Sequence, residues 1–590
     1  MTTSWRFLRL LGPLLLLTVG LTACADQPER LWLKAPGWSR AQLVDNTRVG
    51  DPVPITLDDA GRIYLFVVSA GDGVSHLRVV ALDRQADIVW DRTYEEIELT
   101  RPARPQILWD GEVLQLFWLS GQGLYNAQVD VTGRLLEPPT LLSRETTVGH
   151  YDVARNASGS MAVWYAGPRD EPGLYALSPG DLTGEAILVD AAGVRPDLQY
   201  DDAGTLHVIW AHHPPGTGDK PFFYAAYPDG YYRPGQERVV VAPRAIGTTV
   251  LEGPQLGLDG QYAYVFWTLI FYSGMEAGTA RAEYVYFPKG QPSSVSSAHQ
   301  WGVPYSYNLP YQTFREGDLK AGARVPLGPE FRGGATYITE ITANPASEQE
   351  LVITFHARLA YLMRKQQLQI SAGFFQGGAL TAYQLLSFTP SNSTYPAIFS
   401  DEAGQLYLTW LEKGALPGWV VYFASTAPDI REALDNVTSD DVGRLSAETL
   451  FGVLAGTVLI PFAVVWIVPS MIVLALTGRI RGAEERLTSF GTIVSLTLAL
   501  ITLWGIKMTV LPEMFEYVPL SAWLPIIPSW LNSPLQLGMP LLIAGLALVA
   551  ARYYTGRKEE YSAFLFMIIY AVVDAILTLA VYGVLVYAAF

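Results

Sequence analysis

The feature that most constrains this 590-residue chain is a short segment that recurs along it. In residues 196–210, apolar residues alternate on both sides of an Asp-Asp-Ala-Gly corner. Such alternation predicts two β-strands, and a glycine at the corner supplies the positive φ that a tight hairpin needs. The segment therefore predicts a strand, a turn and a second strand.

Six further copies of this segment precede the C-terminal quarter of the chain. The clear copies are residues 105–118, 254–267 and 396–410, the degenerate ones are 54–67 and 151–164, and the weakest is 342–356. The corner glycines Gly111, Gly159, Gly204 and Gly260 lie 48, 45 and 56 residues apart. This period suits a four-stranded propeller blade, and radial closure removes the exposed edges of such sheets. We expect an all-β propeller of about seven four-stranded blades, with six or eight as the alternatives.

The N-terminus has the layout of an export signal. Arg6 and Arg9 precede an apolar run over residues 10–19, and Leu21-Thr22-Ala23-Cys24 follows. The last four residues resemble the lipobox of bacterial lipoproteins, which implies cleavage before Cys24 and a lipid on that residue. Residues 1–23 are then a signal peptide and 24–44 a tether. The alternative is an uncleaved anchor in which Cys24 is incidental. Because Cys24 is the only cysteine, disulfides and thiolate metal clusters are excluded.

Residues 45–430 form the predicted propeller. The repeat lapses over residues 288–334, which are either a loop inserted between blades or a blade too degenerate to recognise. The formal net charge of the whole chain is −16, so we expect no nucleic-acid partner.

A polar linker, residues 431–448, leads to a membrane domain over residues 449–590. Four apolar runs span 450–476, 487–511, 534–551 and 563–587, with only Lys507 and Asp574 charged among them. A helix of about 20 apolar residues crosses a bilayer core of about 30 Å. The runs therefore predict four transmembrane helices in contact with the lipid bilayer. Helices buried in a soluble core are the alternative.

Charges in the loops between these runs predict an orientation. Two loops carry the basic residues Arg479, Arg481, Arg486, Arg552, Arg557 and Lys558, whereas residues 512–533 contain no lysine or arginine. Basic loops stay in the cytoplasm. We therefore expect the propeller on the extracytoplasmic side of a bacterial cytoplasmic membrane, with no large domain in the cytoplasm.

The candidate ligand-binding residues lie just before the first strand of each repeat, where propeller blades begin near the central axis. They are Arg104, His150, Arg195, Glu252 beside Gly253, and Tyr395, and His212 and His213 are expected on the same face. Such side chains can hold an anionic or sugar-like ligand by charge-assisted hydrogen bonds. The alternative is that they are solvated loop residues whose charges satisfy each other.

Further aromatic and histidine residues complete the candidate set. Trp301, Tyr305 and Tyr307 are expected to be exposed and able to stack on a sugar or a partner. The repeated tryptophans 118, 164, 210, 267 and 410 predict packing between blades. His207 and His356 are expected to be core or blade-face residues rather than ligands. His212 and His213 lack a third ligand at a suitable spacing, so we expect no metal site. No cofactor motif and no catalytic set is evident.

The two charges in the membrane domain lie at different predicted depths. Asp574 is 11 residues into its span, which is about 17 Å at roughly 1.5 Å per residue. It is predicted to be a protonated group that hydrogen-bonds between helices rather than a transport site. Lys507 is 20 residues into its span and should extend to the outer interface. The depths predict that the two side chains do not pair.

The Asp, Gly and Trp positions of the repeat resemble those of sialidase-like propellers of the BNR type, over most of residues 50–425. In that family the tryptophan follows the glycine by about three positions, whereas Trp210 and Trp410 follow theirs by six. A Phe-Arg-x-Pro signature is absent, and residues 331–334 are the nearest string. The resemblance implies a chemistry of an arginine triad, a tyrosine nucleophile with a partner glutamate, and an acidic aspartate. No motif here singles out such a set.

Three functions are compatible with these observations. The leading hypothesis is a membrane-anchored extracytoplasmic propeller that acts as a ligand- or protein-binding module of the cell envelope, with a protein or carbohydrate partner. The second is a sialidase-like glycoside hydrolase or lyase. The third is an accessory subunit of a larger membrane complex whose helices contact the other subunits. Whether the chain is an enzyme stays open, although no catalytic motif favours it.

Overall fold

The computed structural model describes residues 29–589 with several gaps. The gaps are residues 71–73, 122, 144–146, 169, 215–217, 305–323, 328–336, 346–348, 362–364, 390, 415–417, 482–488, 516, 521–528 and 557–561. Cys24, Tyr305 and Tyr307 lie outside the described residues.

Seven sheets, each an antiparallel meander, form seven consecutive propeller blades. Blades 1 to 3 are β2–β5 (Ile55–Leu57, Ile63–Ala70, Ser75–Leu82, Ile88–Leu99), β6–β9 (Ala103–Trp109, Leu114–Ser120, Gly123–Val129, Thr140–Leu141) and β10–β13 (His150–Arg155, Met161–Ala166, Leu174–Ala176, Ile187–Asp190). Blades 4 and 5 are β14–β17 (Gly193–Tyr200, Leu206–His212, Phe222–Tyr227, Arg238–Val241) and β18–β21 (Val250–Leu258, Tyr262–Phe271, Thr279–Pro288, His299–Gln300). Blade 6 is β23–β26 (Ile338–Pro345, Leu351–Tyr361, Lys365–Gln376, Ala379–Leu385), with the short β22 (Val325–Pro326) at its edge. The predicted count of seven is confirmed.

Blade 7 closes the ring with strands from both ends of the propeller sequence. It consists of β27 (Ser393–Ser400), β28 (Leu406–Lys413), β29 (Trp419–Ser425) and, as its outermost strand, β1 (Gln42–Thr47). β1 pairs antiparallel with β29, from Gln42 opposite Phe423 to Thr47 opposite Trp419. The seventh repeat therefore lacks a fourth strand of its own, and the N-terminal segment supplies it.

The stretch 288–334 contributes to two blades. β20 ends at Pro288, β21 pairs with β20 as the fourth strand of blade 5, and β22 pairs with β26 in blade 6. In its described residues this stretch supplies edge strands and forms no eighth blade.

The aspartate of each repeat corner holds the hairpin together. Asp259 Oδ1 accepts hydrogen bonds from the backbone N–H groups of Gln261 and Tyr262 at 2.7 and 2.6 Å. Its Oδ2 accepts a hydrogen bond from the Tyr264 hydroxyl at 2.6 Å. The same arrangement recurs at Asp58 with Tyr64, Asp110 with Gln115, Asp201 with His207 and Asp401 with Tyr407. These bonds satisfy buried backbone donors at the corner, and His207 is a core residue as predicted.

The repeated tryptophans are core residues that pack the blades against one another. Trp118, Trp164, Trp210, Trp267 and Trp410 are each 1 % exposed. Trp164 of blade 3 lies 5.9 Å from Trp210 of blade 4, measured between ring centroids. The prediction of inter-blade packing is confirmed.

The C-terminal domain is helical. Its helices are α1 (Pro428–Asp435), α2 (Ser439–Val458), α3 (Val464–Arg481), α4 (Phe490–Val510), α5 (Asn532–Gly556) and α6 (Ala563–Ala589). Four segments are long and apolar enough to cross a membrane: Ile460–Gly478, Phe490–Val510, Asn532–Gly556 and Ala563–Gly583. The predicted linker 431–448 contains most of α1 and the first half of α2, so the helical part begins before the apolar runs.

Lys507 and Asp574 form an ion pair between α4 and α6, so the expectation that they do not pair is wrong. Lys507 Nζ lies 2.9 Å from both carboxylate oxygens of Asp574, and both side chains are fully buried. Helical side chains lean towards the N-terminus of their helix, so Lys507 extends back along α4 towards the level of Asp574. Lys507 also lies over the ring of Trp504, whose indole N–H donates to the Tyr570 hydroxyl.

The propeller has two unlike faces. Inner strands of the blades begin on one face and reach the aspartate corners on the other. β27 and β29 run in the same direction because each is antiparallel to β28, so β29 ends on the corner face. α1 begins at Pro428, three residues after Ser425 ends β29. The helices therefore leave the propeller from the face opposite the start of the inner strands.

Candidate functional site in the central funnel

A cavity of about 490 Å³ lies where the inner strands begin, and residues from all seven blades or their entry segments line it. The predicted residues Arg104, His150, Arg195, Glu252 and Tyr395 all line this cavity, which we call the central funnel. Its lining also includes the acidic residues Asp51, Asp152, Asp197 and Glu340. The placement of the predicted rim residues around one opening follows from their position in the first three residues of the inner strands, which begin slightly earlier than the sequence pattern predicted.

A β-bulge that recurs in the inner strands orients side chains towards the funnel. In five blades the inner strand has a bulge where the register shifts, and one residue of each bulge has a positive φ. These residues are Arg104, Arg195, Gly253, Glu340 and Tyr395, with φ of 53°, 55°, 97°, 55° and 52°. A non-glycine residue in this region is strained by about 1–2 kcal/mol. Such strain recurring around one opening is typical of functional sites.

Side chains on the rim hydrogen-bond to the strained backbone of the following blade. Asp51 accepts a hydrogen bond from Arg104 N at 2.7 Å, and Glu340 accepts one from Tyr395 N at 2.6 Å. Glu252 accepts a longer one from Glu340 N at 3.3 Å. Part of the rim chemistry is therefore structural.

The basic side of the funnel contains two arginines that differ in their hydrogen-bond partners. Arg195 Nη1 donates to the carbonyl oxygens of Leu251 and Gly253 at 2.6 and 3.4 Å, so blade 5 uses much of its hydrogen-bonding capacity. The Arg104 guanidinium donates to no residue that the structure describes, and its side chain is exposed to the funnel. Its backbone is held by Asp51 and by the Tyr151 hydroxyl, which donates to Arg104 O. Arg104 is therefore a positioned cation that lacks a described acceptor.

His150 lies near both arginines and is neutral. Burial is the main cause that lowers its pKa to about 2, and the positive charges of Arg104 and Arg195 lower it further. The Arg104 side chain is exposed to the funnel, but the surrounding protein still removes part of its hydration and so lowers the pKa of the guanidinium. An anion beside Arg104 would offset this unfavourable environment.

Carboxylates occupy the opposite side. Burial raises the pKa of Glu252, and the negative charge of Glu340 raises it further. His356 Nδ1 lies 2.9 Å from Glu340 Oε2, and His356 also contacts the Thr339 hydroxyl, so this buried histidine supports the rim from blade 6. Carboxylates in this setting can accept hydrogen bonds from hydroxyl groups of a ligand.

The floor of the funnel contains Gln106, Asp152 and Asp197 from three consecutive blades. Gln106 Nε2 donates to Asp152 Oδ1 at 2.8 Å. Sequence reasoning missed Asp152 and Asp197, although each lies two positions after a predicted rim residue. Because alternate residues of a strand point to the same side, positions i+2 on the inner strands were the available signal.

Three of the other predicted ligand residues do not line the funnel. His212 is on the predicted face but pairs with Asp190, whose Oδ2 lies 2.8 Å from His212 Nδ1. His213 N donates to Ala192 O, and the charge of His213 contributes to lowering the pKa of His150. Trp301 is 6 % exposed and packs edge-to-face on Phe355, so the expectation of an exposed Trp301 is wrong. The cause is packing against the aromatic rings of Phe266, Phe355 and Phe375 in blades 5 and 6.

Among the described residues, no group of three His, Cys, Asp or Glu side chains is placed to hold a metal ion. No protein-family model matches the sequence, and no curated protein matches it.

Solved structures similar to the chain include polysaccharide lyases and sialidases. Polysaccharide lyase Uly1 is 8 % identical over 65 % of this chain and 91 % of its own, with a TM-score of 0.43. A PL25 ulvan lyase bound to a GlcA–Rha3S saccharide is 11 % identical over 64 % and 94 %, with a TM-score of 0.39. A mutant Trypanosoma rangeli sialidase is 11 % identical over 71 % and 63 %, with a TM-score of 0.32.

Proposed function

We propose that this protein is a membrane-anchored binding module whose central funnel takes a polyhydroxylated ligand with one acidic group, such as an acidic sugar. The observation that carries the proposal is the Arg104 guanidinium, which faces the funnel without a described acceptor. Guanidinium groups bind carboxylates, sulfates and phosphates through charge-assisted hydrogen bonds. Arg104 therefore binds the acidic group.

The remaining lining suits the rest of such a ligand. Glu252 and Glu340 supply carboxylate acceptors for hydroxyl groups, and Tyr395 supplies an aromatic ring beside them. A volume of about 490 Å³ lies within the roughly 300–1,000 Å³ of small-molecule sites. The funnel thus has room for a mono- or disaccharide.

The arrangement of the anchors supports a funnel that opens away from the membrane. α1 and α2 leave from the corner face, and the N-terminal segment bonds to the same helices through Arg40 and Asp441. A lipid on Cys24 and four helices would then hold the propeller from one side. In this arrangement the propeller lies outside the cell and collects its ligand from the envelope space.

Binding by the full-length protein in nanodiscs tests the ligand proposal. Calorimetric titration with glucuronate and N-acetylneuraminate should show binding, whereas neutral glucose should bind far more weakly. Arg104→Gln should weaken acidic-sugar binding about tenfold to a hundredfold, since a hydrogen bond to a charged group contributes roughly 1.5–3 kcal/mol. Arg104→Lys should retain part of the affinity because it keeps the charge.

Arg101→Gln is the matched control. Arg101 also has a positive φ, 48°, and is exposed, but it does not line the funnel. Its substitution should leave affinity unchanged. Failure of every acidic sugar to bind, or equal affinity of the Arg104→Gln and wild-type proteins, would overturn the proposal. Release of a shortened product during the titration would instead indicate a hydrolase or lyase.

The orientation has its own test. In intact spheroplasts, added protease should cut propeller loops while the loop containing Arg486 stays protected. The opposite cleavage pattern would place the propeller in the cytoplasm and remove the envelope role.

A further inference from the structure

Two carboxyl side chains meet at the floor of the funnel. Asp152 and Asp197 occupy matching positions in β10 and β14, the inner strands of blades 3 and 4. Leu198 N donates to Asp152 Oδ2 at 2.6 Å, and Leu256 N donates to Asp197 Oδ2 at 2.5 Å. Each aspartate therefore bonds to the backbone of the next blade. These bonds prevent the two side chains from turning away from one another.

The two carboxyl groups are also neighbours: Asp152 Oδ2 accepts its hydrogen bond from the backbone N–H of the residue that directly follows Asp197, and both residues line the same cavity. Two ionised carboxylates can only accept hydrogen bonds and repel each other, so this proximity favours a proton on one of them. Burial is the main cause that raises the pKa of both groups, and the charge of Asp152 raises that of Asp197 further. Closely spaced carboxyl groups of this kind titrate as a pair.

We propose that Asp152 and Asp197 hold one proton between them and that this shared proton is part of the ligand site. This inference rests on the proposed function, because it concerns how the same funnel accepts an acidic ligand. Five carboxyl groups and only two guanidinium groups line the funnel. The shared proton limits the floor to one negative charge and provides an O–H donor. When the proton leaves, the floor becomes doubly negative and repels an anion held by Arg104.

The other ionisable groups facing the pair do not replace it as the group that responds between neutral and alkaline pH. They are Asp51, Arg104, His150, Tyr151, Arg195, Glu252, Glu340 and Tyr395. His150 is neutral because its pKa is lowered to about 2. Burial raises the pKa of Tyr151 well above its ordinary value, and the arginines keep their charge.

Infrared spectroscopy of the ligand-free, full-length protein tests the proton directly. At neutral pH the wild type should show a C=O stretch of a protonated carboxylic acid, and this band should disappear at alkaline pH. The wild-type spectrum minus that of Asp197→Asn or of Asp152→Asn should show this band at neutral pH, whereas the wild-type spectrum minus that of Asp574→Asn should not. If the band is absent from the wild type at neutral pH, or from both floor difference spectra, the shared proton is disproved. The wild-type pH series needs no variant and no ligand, so failure of the proposed function leaves this result intact.

Titration with glucuronate then tests the coupling to the ligand. In the wild type the affinity should fall about tenfold or more between neutral and alkaline pH, as expected for one added like charge near the anion. In Asp197→Asn the affinity should change little over the same range, because the pair can no longer become doubly negative. An equal pH dependence in both proteins would overturn the coupling. No binding at any pH would count against the proposed function while leaving the infrared result to decide the proton.

Discussion

Arg40 and Asp441 form a bidentate ion pair that joins the N-terminal segment to α2. Arg40 Nη1 donates to Asp441 Oδ2 and Nη2 to Oδ1, both at 2.8 Å, and the side chains are only 4 % and 10 % exposed. Asp441 also completes a capping box with Thr438 at the start of α2. The same carboxylate therefore starts the helix and fixes the segment that leads into β1.

Arg40→Met should destabilise the junction by about 3–5 kcal/mol, because it leaves a nearly buried carboxylate without its partner. Thermal unfolding of the full-length protein in detergent, with protease sensitivity of residues 426–440 as a second readout, measures this. Lys34→Met is the control: its pair with Asp435 is about one-third exposed, so the loss should stay below about 1 kcal/mol. Equal effects of the two substitutions would contradict the assignment.

Acid should weaken the same junction. The hydrogen bonds from Arg40 are the main cause that lowers the pKa of Asp441 below its ordinary value. A lowered folded-state pKa gives stability that is present above the unfolded pKa of about 3.9 and is lost as pH falls below it. The difference in thermal stability between wild type and Asp441→Asn should therefore be largest near neutral pH and shrink in acid. A difference that is independent of pH would show that Asp441 contributes only by its shape.

The Lys507–Asp574 pair should behave as a unit. Lys507→Met or Asp574→Leu alone leaves a buried charge unpaired and should cost about 3–5 kcal/mol, whereas the double substitution should recover most of the loss. Detergent-resistant folding of the full-length protein, followed by heating, gives the comparison. If the double variant is as unstable as the sum of the single ones, the pair does not account for these two charges.

The crossing of α2 and α6 depends on two glycines. A Cβ at Gly456 would lie 2.1 Å from Leu579 O, and one at Gly583 would lie 2.7 Å from the Cα of Gly456. Gly456→Ala should therefore destabilise the helical domain by roughly 1–3 kcal/mol. Gly443→Ala, in the same helix with nothing within 4 Å of the added Cβ, should be neutral or stabilising by up to about 1 kcal/mol. Thermal unfolding of both variants measures the contrast.

The adjacent residues Asp201 and Asp202 have different roles: Asp201 holds the corner together by hydrogen bonds, whereas Asp202 is solvated. Asp201 Oδ1 accepts a hydrogen bond from Thr205 N at 2.8 Å, and its Oδ2 lies 3.1 Å from Nε2 of the buried His207. Asp201→Ala should cost about 1–3 kcal/mol because it leaves these groups unsatisfied. Asp202 is exposed, so Asp202→Ala should stay within about 0.5 kcal/mol. Chemical denaturation followed by tryptophan fluorescence distinguishes the two.

The local sequence pattern was enough to predict the blades, because the alternation and corner residues that define a blade all lie within about 50 residues. The aspartate side chains at the corners hydrogen-bond to residues two to six positions away. The contacts that stabilise each hairpin therefore lie within the hairpin itself. The rim residues were predictable for the same reason: each lies at the start of an inner strand, and closure of the ring brings equivalent positions to one opening. The helical spans follow from composition alone.

Relations between distant residues were decided only by the folded structure. β1 completes blade 7, and Arg40 pairs with a carboxylate 401 residues away. Both contacts form when the ring of blades closes, and no sequence pattern near either residue predicts them. Lys507 reaches Asp574 although the two residues lie at different positions along their spans. The direction of the lysine side chain and the relative shift of the two helices set the distance between the charged groups. Burial likewise decided that Trp301 lies in the core, and inter-blade contacts decided that Arg195 is occupied while Arg104 faces the funnel. The sequence by itself determined the repeating units and the four segments that are apolar and long enough to cross a membrane. Packing between the blades determined which side chains face the funnel without a partner in another blade.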